Sequence, residues 1–389
     1  MANPKVYFIP GLFSSRLLIL AGADGRTPSD VWTTPTQIGL MIRAGLGDYL
    51  KYEVPNRIFA DGLFEPVVPF YNKLRDEMKE REVTALSYDW RLSPTVVAPG
   101  LARRISMSDD GFYIIAHSLG CLVALAVVEE LVHQGHGGLC KGIFHIGGPL
   151  SDEIGNWSAL QAVMGRGLTW NQVLNEANLG PNPINWLRST ASVSAETSRA
   201  NRDRLLRVIS TWPSISMLMP NGVGLRDEAA MRSLCDNQFI TQAWLTGGQN
   251  DKAAVQRLAF PRTRTFQFYG TGITTTSSVE LESGAVRASY DGDGTVLRVE
   301  SLYLEERTMT RANVEHLSLL ADNVVLRTIV AMINTDAFEQ TNPTLNLVAA
   351  RETIDRAPNE VVLAPSGPRS NIPVMRVHVP APSRFLFDP

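Results

Sequence analysis

Chemistry first becomes possible in this sequence at Ala116-His117-Ser118-Leu119-Gly120. The segment follows an apolar, β-prone run, Phe112 to Ala116, and opens a helical pattern from Leu119 to Val132. A serine at such a strand-to-helix turn occupies a nucleophile elbow, where a strained backbone lifts the hydroxyl clear of the sheet. Strand and helix approach closely there, which requires small residues two before and two after the serine. Ala116 and Gly120 meet that requirement. A serine hydroxyl is a poor nucleophile at neutral pH, so it needs a general base that is itself oriented by an acid. At an elbow of this kind the chain order is serine, then Asp or Glu, then histidine.

Three histidines follow Ser118 at a useful distance: His145, His316 and His378. His145 lies inside an apolar strand and reads as a satisfied core residue. His378 falls in a proline-rich tail. His316 comes after the last strand-like run, Val299 to Leu304, at the start of a helix expected over His316 to Met332. A loop there can carry its imidazole to the C-terminal edge of a sheet. The acid is expected in Asp291-Gly292-Asp293-Gly294-Thr295-Val296, whose glycines allow a turn that presents one carboxylate. Asp291 and Asp293 both qualify, and their two-residue spacing puts them on opposite sides of an extended segment. The remaining ligands of a calcium loop are missing, so no metal is expected.

Acyl transfer also needs two backbone N–H donors for the developing oxyanion. The residue after the nucleophile, Leu119, is one. The loop after the first strand, Pro10-Gly11-Leu12-Phe13-Ser14-Ser15, provides the other at Leu12, with Phe13 as the next choice. Phe13, Trp32 and His117 are assigned to substrate binding.

The elements that must position these residues alternate through the first third of the chain. Strands are expected at Val6 to Ile9, Val83 to Tyr88, Phe112 to Ala116 and Gly142 to Ile146, with helices at Asn72 to Glu82 and Leu119 to Val132. Nearly continuous apolar strands separated by helices point to a parallel sheet covered on both faces. From about 151 to 251 the texture changes to short helical patterns with scattered tryptophans, read as a mainly helical cap. A smaller excursion, about 24–64, carries Trp32. The sheet resumes at Thr265 to Tyr269, and a hairpin is expected around Glu282-Ser283-Gly284. The core domain is thus 1–150 with 252–339. The last stretch, 340–389, holds 8 of the 23 prolines and reads as an extended arm packed on the domain.

Composition narrows the possibilities further. The 389 residues are 44% hydrophobic and 19% charged, as in a globular protein with a sizeable core. A formal charge of −3 gives no electrostatic case for nucleic acid, although Arg outnumbers Lys 30 to 6. Cys121, Cys140 and Cys235 include no CxxC pair, which argues against a disulfide framework or a thiolate metal site. No run of 18 apolar residues offers a membrane span, and the first strand begins too early for a leader. A cytoplasmic location is expected, or secretion for a chain whose leader has been removed.

Taken together, the motifs resemble those of the lecithin:cholesterol acyltransferase family, which includes lysosomal phospholipase A2. The matching segments are Ile9-Pro10-Gly11 with Ser14-Ser15, Tyr88-Asp89-Trp90-Arg91-Leu92, Ala116 to Cys121, Gly147-Gly148-Pro149, Phe268-Tyr269-Gly270, Asp291 to Val296 and Glu315-His316-Leu317. They run in family order from about Val6 to Val330. The resemblance implies an α/β-hydrolase fold with a mostly parallel sheet, a helical cap and a lid near Val31 to Leu50. It places the acid at Asp293 and the base at His316, and makes Asp89 and Arg91 structural braces. The lid disulfide of the animal enzymes has no cysteines here. The activity implied is acyl transfer from a lipid ester to water or an alcohol, without a cofactor. The partners would be an acyl ester or lipid substrate, an alcohol acceptor and a transient membrane surface. Two other readings fit the same residues: an esterase or thioesterase for a soluble ester or lactone, and a degenerate hydrolase serving as a binding protein.

Overall fold

The structure is a computed structural model that describes residues 4–20, 28–32, 58–79, 81–106, 111–151, 156, 159, 208, 211–219, 242–256, 264–279, 286–301, 307–336 and 338. In chain order the strands are β1 (Lys5–Ile9), β2 (Ser15–Leu20), β3 (Pro28–Trp32), β4 (Ile58–Leu63), β5 (Val83–Ala85), β6 (Phe112–His117), β7 (Cys140–Ile146), β8 (Thr265–Thr271), β9 (Thr275–Val279), β10 (Val286–Ser289) and β11 (Thr308–Ala312). The α-helices are α1 (Val68–Glu77), α2 (Pro94–Ser106), α3 (Gly120–His133), α4 (Pro213–Leu218), α5 (Gln242–Gln256), α6 (Arg298–Ser301) and α7 (Asn323–Asn334).

Six strands form one sheet in the order β11-β8-β7-β6-β1-β5, and every pairing in it is parallel. The two-residue period of a strand divides its side chains between two cores. From β1 and β6, Tyr7, Ile9, Ile114 and Ala116 pack on one face with Leu101 and Ile105 of α2 and Leu122 and Leu125 of α3. Val6, Phe8, Tyr113 and Ile115 pack on the other with Leu74 of α1 and Leu326 and Ile329 of α7. Burial on both faces explains why these strands read as unbroken apolar runs. Truncating a side chain as buried as Leu122 or Ile329 to Ala costs about 2–5 kcal/mol.

After β1 the chain first builds β5 on one side and then β6 on the other. The crevice between β1 and β6 is therefore where the connections diverge, and in open α/β sheets that is where ligands bind. The loops at Pro10 and Ser118 leave the sheet side by side there. The excursion expected at about 24–64 includes β3 and β4, which flank β2 in an antiparallel three-stranded sheet. Of the lid expected near Val31 to Leu50, all but Val31 and Trp32 lies outside the described residues, as do most of the expected cap and the arm 340–389. β9 and β10 pair antiparallel as the hairpin expectation requires, and Glu282-Ser283-Gly284 themselves lie outside the described residues.

Two sequence expectations are corrected. Val299 to Leu304 does not begin as a strand. Residues 298–301 form α6, because the buried Glu300 carboxylate accepts the Leu297 N–H at 2.8 Å and closes a helical turn. Among the described residues the last strand is β11. Nor does a single helix run from His316 to Met332. A 3-10 turn at Ser318–Ala321 comes first, and α7 starts where Asp322 caps the Val324 and Val325 N–H groups, both at 3.0 Å. Arg311 holds that cap through a forked pair at 2.9 and 3.1 Å.

Candidate active site

Every residue of β6 is buried, so the strand delivers Ser118 to the sheet edge along a rigid path. Ser118 has a φ of 53°, a left-handed conformation that is costly for a residue with a β-carbon. Its N–H donates to Ile146 O at 2.9 Å, and its carbonyl accepts from Cys121 N at 2.9 Å. A β-carbon at Gly120 would lie 2.5 Å from the carbonyl oxygens of both Ile9 and Pro10, so nothing larger than glycine fits behind the serine. The strained turn and tight crossing are the geometry that a nucleophile elbow requires.

The chain has the α/β-hydrolase fold. The parallel sheet, the helices on both its faces and the elbow at the end of a central strand together define it.

His316 follows β11 and is almost fully buried. Its Nδ1–H donates to Asp293 Oδ2 at 2.8 Å, the tautomer that leaves Nε2 free to take a proton. Nε2 is buried and has no hydrogen-bond partner among the described residues. His316 and Ser118 line the same cavity. The other Asp293 oxygen, Oδ1, accepts Thr295 N at 3.0 Å and Val296 N at 2.8 Å. Of the two candidate acids the structure brings Asp293 to the histidine, while Asp291 is exposed and gives its carbonyl to Arg298 N. Gly147, at a φ of 58°, lies against this pair. A β-carbon there would come within 3.0 Å of His316 Nδ1 and 3.2 Å of Asp293 Oδ2.

The loop after β1 turns at Gly11–Ser14, with Ser14 N donating to Gly11 O at 3.2 Å. It lies directly on the elbow, since a β-carbon at Gly11 would be 2.8 Å from that of Ser118. The N–H groups of Leu12 and Leu119 make no hydrogen bond among the described residues. Phe13 takes a φ of 62°, unusual for so bulky a residue. Its ring packs edge-on to Trp90 and Trp212, at 4.9 and 5.9 Å between centroids, and those two indoles meet at 5.0 Å. Tyr88 Oη donates to Pro10 O at 2.9 Å, and Trp90 Nε1 donates to Ser15 O at 3.0 Å. Asp89 and Arg91 form a buried, forked ion pair at 2.9 and 2.6 Å, and Arg91 O accepts the Ser214 N–H of α4 at 3.3 Å. The Tyr88-Asp89-Trp90-Arg91 segment thus braces the loop and the α4 segment together.

The cavity over Ser118 and His316 is walled mainly by Leu12, Phe13, Phe64, Ile215, Leu218 and Val296. No Lys, Arg, Asp or Glu is among its described lining residues. Phe13 and His117 line it. Trp32 ends β3 opposite Leu17, and its side chain lies outside the described residues. His117 Nε2 lies 3.1 Å from His316 O. Burial, then the neighbouring His316, hold the His117 imidazole well below its usual pKa, so it is neutral. His378 lies outside the described residues.

Sequence reasoning missed two participants. Asn156 donates through Nδ2 to Thr295 O at 3.0 Å and to Glu300 Oε2 at 3.2 Å, tying itself to the loop that carries Asp293. Trp212 packs on Phe13. Both lie in the irregular stretch read as a cap, where no local pattern marks a partner. His145 is buried as expected but is not satisfied, since neither ring nitrogen has a partner among the described residues. Burial lowers its pKa to about 3, so the ring is neutral and inert. The thiols of Cys121 and Cys140 are buried and pushed up, that of Cys140 to about 12, so neither competes as a nucleophile. Among the described residues no group of three or more His, Cys, Asp or Glu is placed to hold a metal, and no helix is long and apolar enough to cross a membrane.

No family model matches the chain. It is 28% identical over 155 residues, 34% of its own length, to the uncharacterized Saccharomyces cerevisiae protein YJR098C. The match spans 23% of that protein. Among solved structures, the mature lipase BlEst2 of Bacillus licheniformis aligns over 85% of this chain and 92% of its own, with 11% identity and a TM-score of 0.34.

Proposed function

We propose that this chain is a serine acyl hydrolase or O-acyltransferase that cleaves a hydrophobic carboxylic ester through an acyl-enzyme on Ser118. The observation that carries this reading is the buried Asp293–His316 pair, whose Nε2 has no hydrogen-bond partner among the described residues and whose histidine lines the same apolar cavity as the strained serine. In the first step Ser118 Oγ attacks the ester carbonyl, and His316 Nε2 takes its proton. The Leu12 and Leu119 N–H groups, without a partner among the described residues, receive the developing oxyanion. Collapse of the tetrahedral intermediate expels the alcohol, which takes the proton back from His316. Water or an acceptor alcohol then repeats the sequence on the acyl-enzyme and frees the serine. Asp293 stabilises the imidazolium that forms twice per cycle.

The substrate class is a phospholipid or related acyl lipid. The uncharged, apolar wall formed by Phe13, Phe64, Ile215 and Leu218 suits an acyl chain, and the family resemblance of the motifs points the same way. The test pairs Ser118→Ala with the parent enzyme on p-nitrophenyl esters of increasing chain length and on phospholipid vesicles, with products followed by mass spectrometry with and without added alcohol. The parent should turn over long-chain and vesicle substrates, and the variant should lose at least three orders of magnitude. Equal rates in the two proteins would remove the mechanism. Saturation by a monomeric short ester, with no vesicle activity, would move the substrate to the soluble class.

A further inference from the structure

We propose that His117 is a positioning residue that ties the backbone of the base to the nucleophile elbow. The proposal rests on reading Ser118 and His316 as nucleophile and base. A carbonyl oxygen can only accept, so the 3.1 Å contact between His117 Nε2 and His316 O places the proton of the His117 ring on Nε2. Among the described residues His316 has two other anchors, its N–H to Asp293 O and its Nδ1–H to Asp293 Oδ2, and both lead to the acid loop. Neither sets how far the base stands from the serine, because Asp293 and Ser118 are carried by different parts of the sheet. The bond from His117 does, since His117 is the chain neighbour of Ser118.

The surroundings of the ring support this role over simple space filling. The His117 and His316 rings lie 4.6 Å apart between centroids, tilted by 44°. His117 Nδ1 is buried and has no hydrogen-bond partner among the described residues. An apolar side chain would fill the same space without burying an idle nitrogen. The N–H on Nε2 is the polar function that remains, so a side chain supplying that donor alone should serve. Glutamine, with an amide nitrogen at nearly the reach of Nε2, is that side chain.

The experiment measures kcat and KM on a short p-nitrophenyl ester, and the rate of labelling by a fluorophosphonate probe, for the parent, Ser118→Ala, His117→Leu and His117→Gln. His117→Leu should lower both kcat and labelling rate about 10–100-fold with KM within about twofold, since an ångström of misplacement costs that much. His117→Gln should recover most of the loss. Parent-like kcat in folded His117→Leu, or a glutamine variant no better than leucine, would overturn the positioning role. Nitrogen-15 NMR of the parent's histidines gives a readout that needs no variant to fold: an Nε2–H tautomer at His117 is expected, and an Nδ1–H tautomer overturns the proposal. Labelling that survives Ser118→Ala removes the underlying reading, whereas labelling confined to Ser118 with an indifferent His117 removes only this inference.

Discussion

Asp293 holds His316 at two points: its carbonyl accepts the His316 N–H at 2.9 Å, and its Oδ2 accepts the Nδ1–H at 2.8 Å. The first bond fixes where the histidine backbone lies, and the second fixes the ring's tautomer and direction. Oδ1 is meanwhile held by two N–H groups of its own loop, so the carboxylate cannot swing away.

Those loop donors determine what Asp293→Asn would do. The asparagine oxygen must stay on the Thr295 and Val296 N–H groups, which turns the amide NH2 towards His316 Nδ1. The imidazole then has to accept there and carries its proton on Nε2, where it cannot act as a base. The expected loss in kcat is about 10⁴-fold with KM little changed. Steady-state kinetics check it, and a loss below tenfold would contradict the tautomer argument.

Gly147→Ala places a methyl group against the acid–base pair and forces a β-carbon into a left-handed conformation. Stability should fall by about 1–3 kcal/mol. The variant's kcat should fall further than the stability loss explains, because the clash is with His316 Nδ1 itself. Urea unfolding and kcat measured on the folded fraction separate the two effects.

The buried His145 makes stability depend on pH. Its pKa is about 3 in the folded chain and near 6.5 when unfolded, so between those values the unfolded state binds the extra proton. Stability is unaffected above pH 6.5 and declines as pH falls below it, by about 1.4 kcal/mol per unit from this residue. His117, also lowered by burial, adds to the decline in the same direction. His145→Leu should flatten the pH dependence by about one proton. Urea titrations from pH 7 to pH 4 measure that slope, and an unchanged slope would remove His145 as its source.

Trp212→Ala opens a hole beside Trp90 and Phe13 and should cost about 3–5 kcal/mol. It also removes a ring packed against Phe13, whose positive φ shapes the loop carrying the Leu12 N–H. Acylation should therefore slow in Trp212→Ala even where the protein remains folded, and Trp212→Phe should restore much of the rate. Labelling rates of both variants at low temperature, with folding checked by circular dichroism, test the link.

Much of the frame was legible in local pattern. Strands such as Phe112 to His117 announce themselves because burial on two faces permits almost no polar residue, and the elbow does so because its turn demands small residues around a serine. The order of serine, acid and histidine along the chain followed from that turn. Reading Val299 to Ser301 as the start of a strand failed because the turn depends on a buried Glu300 carboxylate, whose burial no linear pattern reveals. The start of the last helix failed similarly: the cap at Asp322 acts together with Arg311 from a neighbouring strand.

What the sequence determined alone was the set of residue types and the elements that carry them, since those follow from periodicity and backbone sterics between near neighbours. Tertiary structure decided which carboxylate meets His316, what holds Phe13 in its unusual turn, and that His117 spends its one N–H on the carbonyl of a residue 199 positions away. Each of those choices is a matter of a few tenths of a nanometre between distant segments, and only the packed sheet sets such distances.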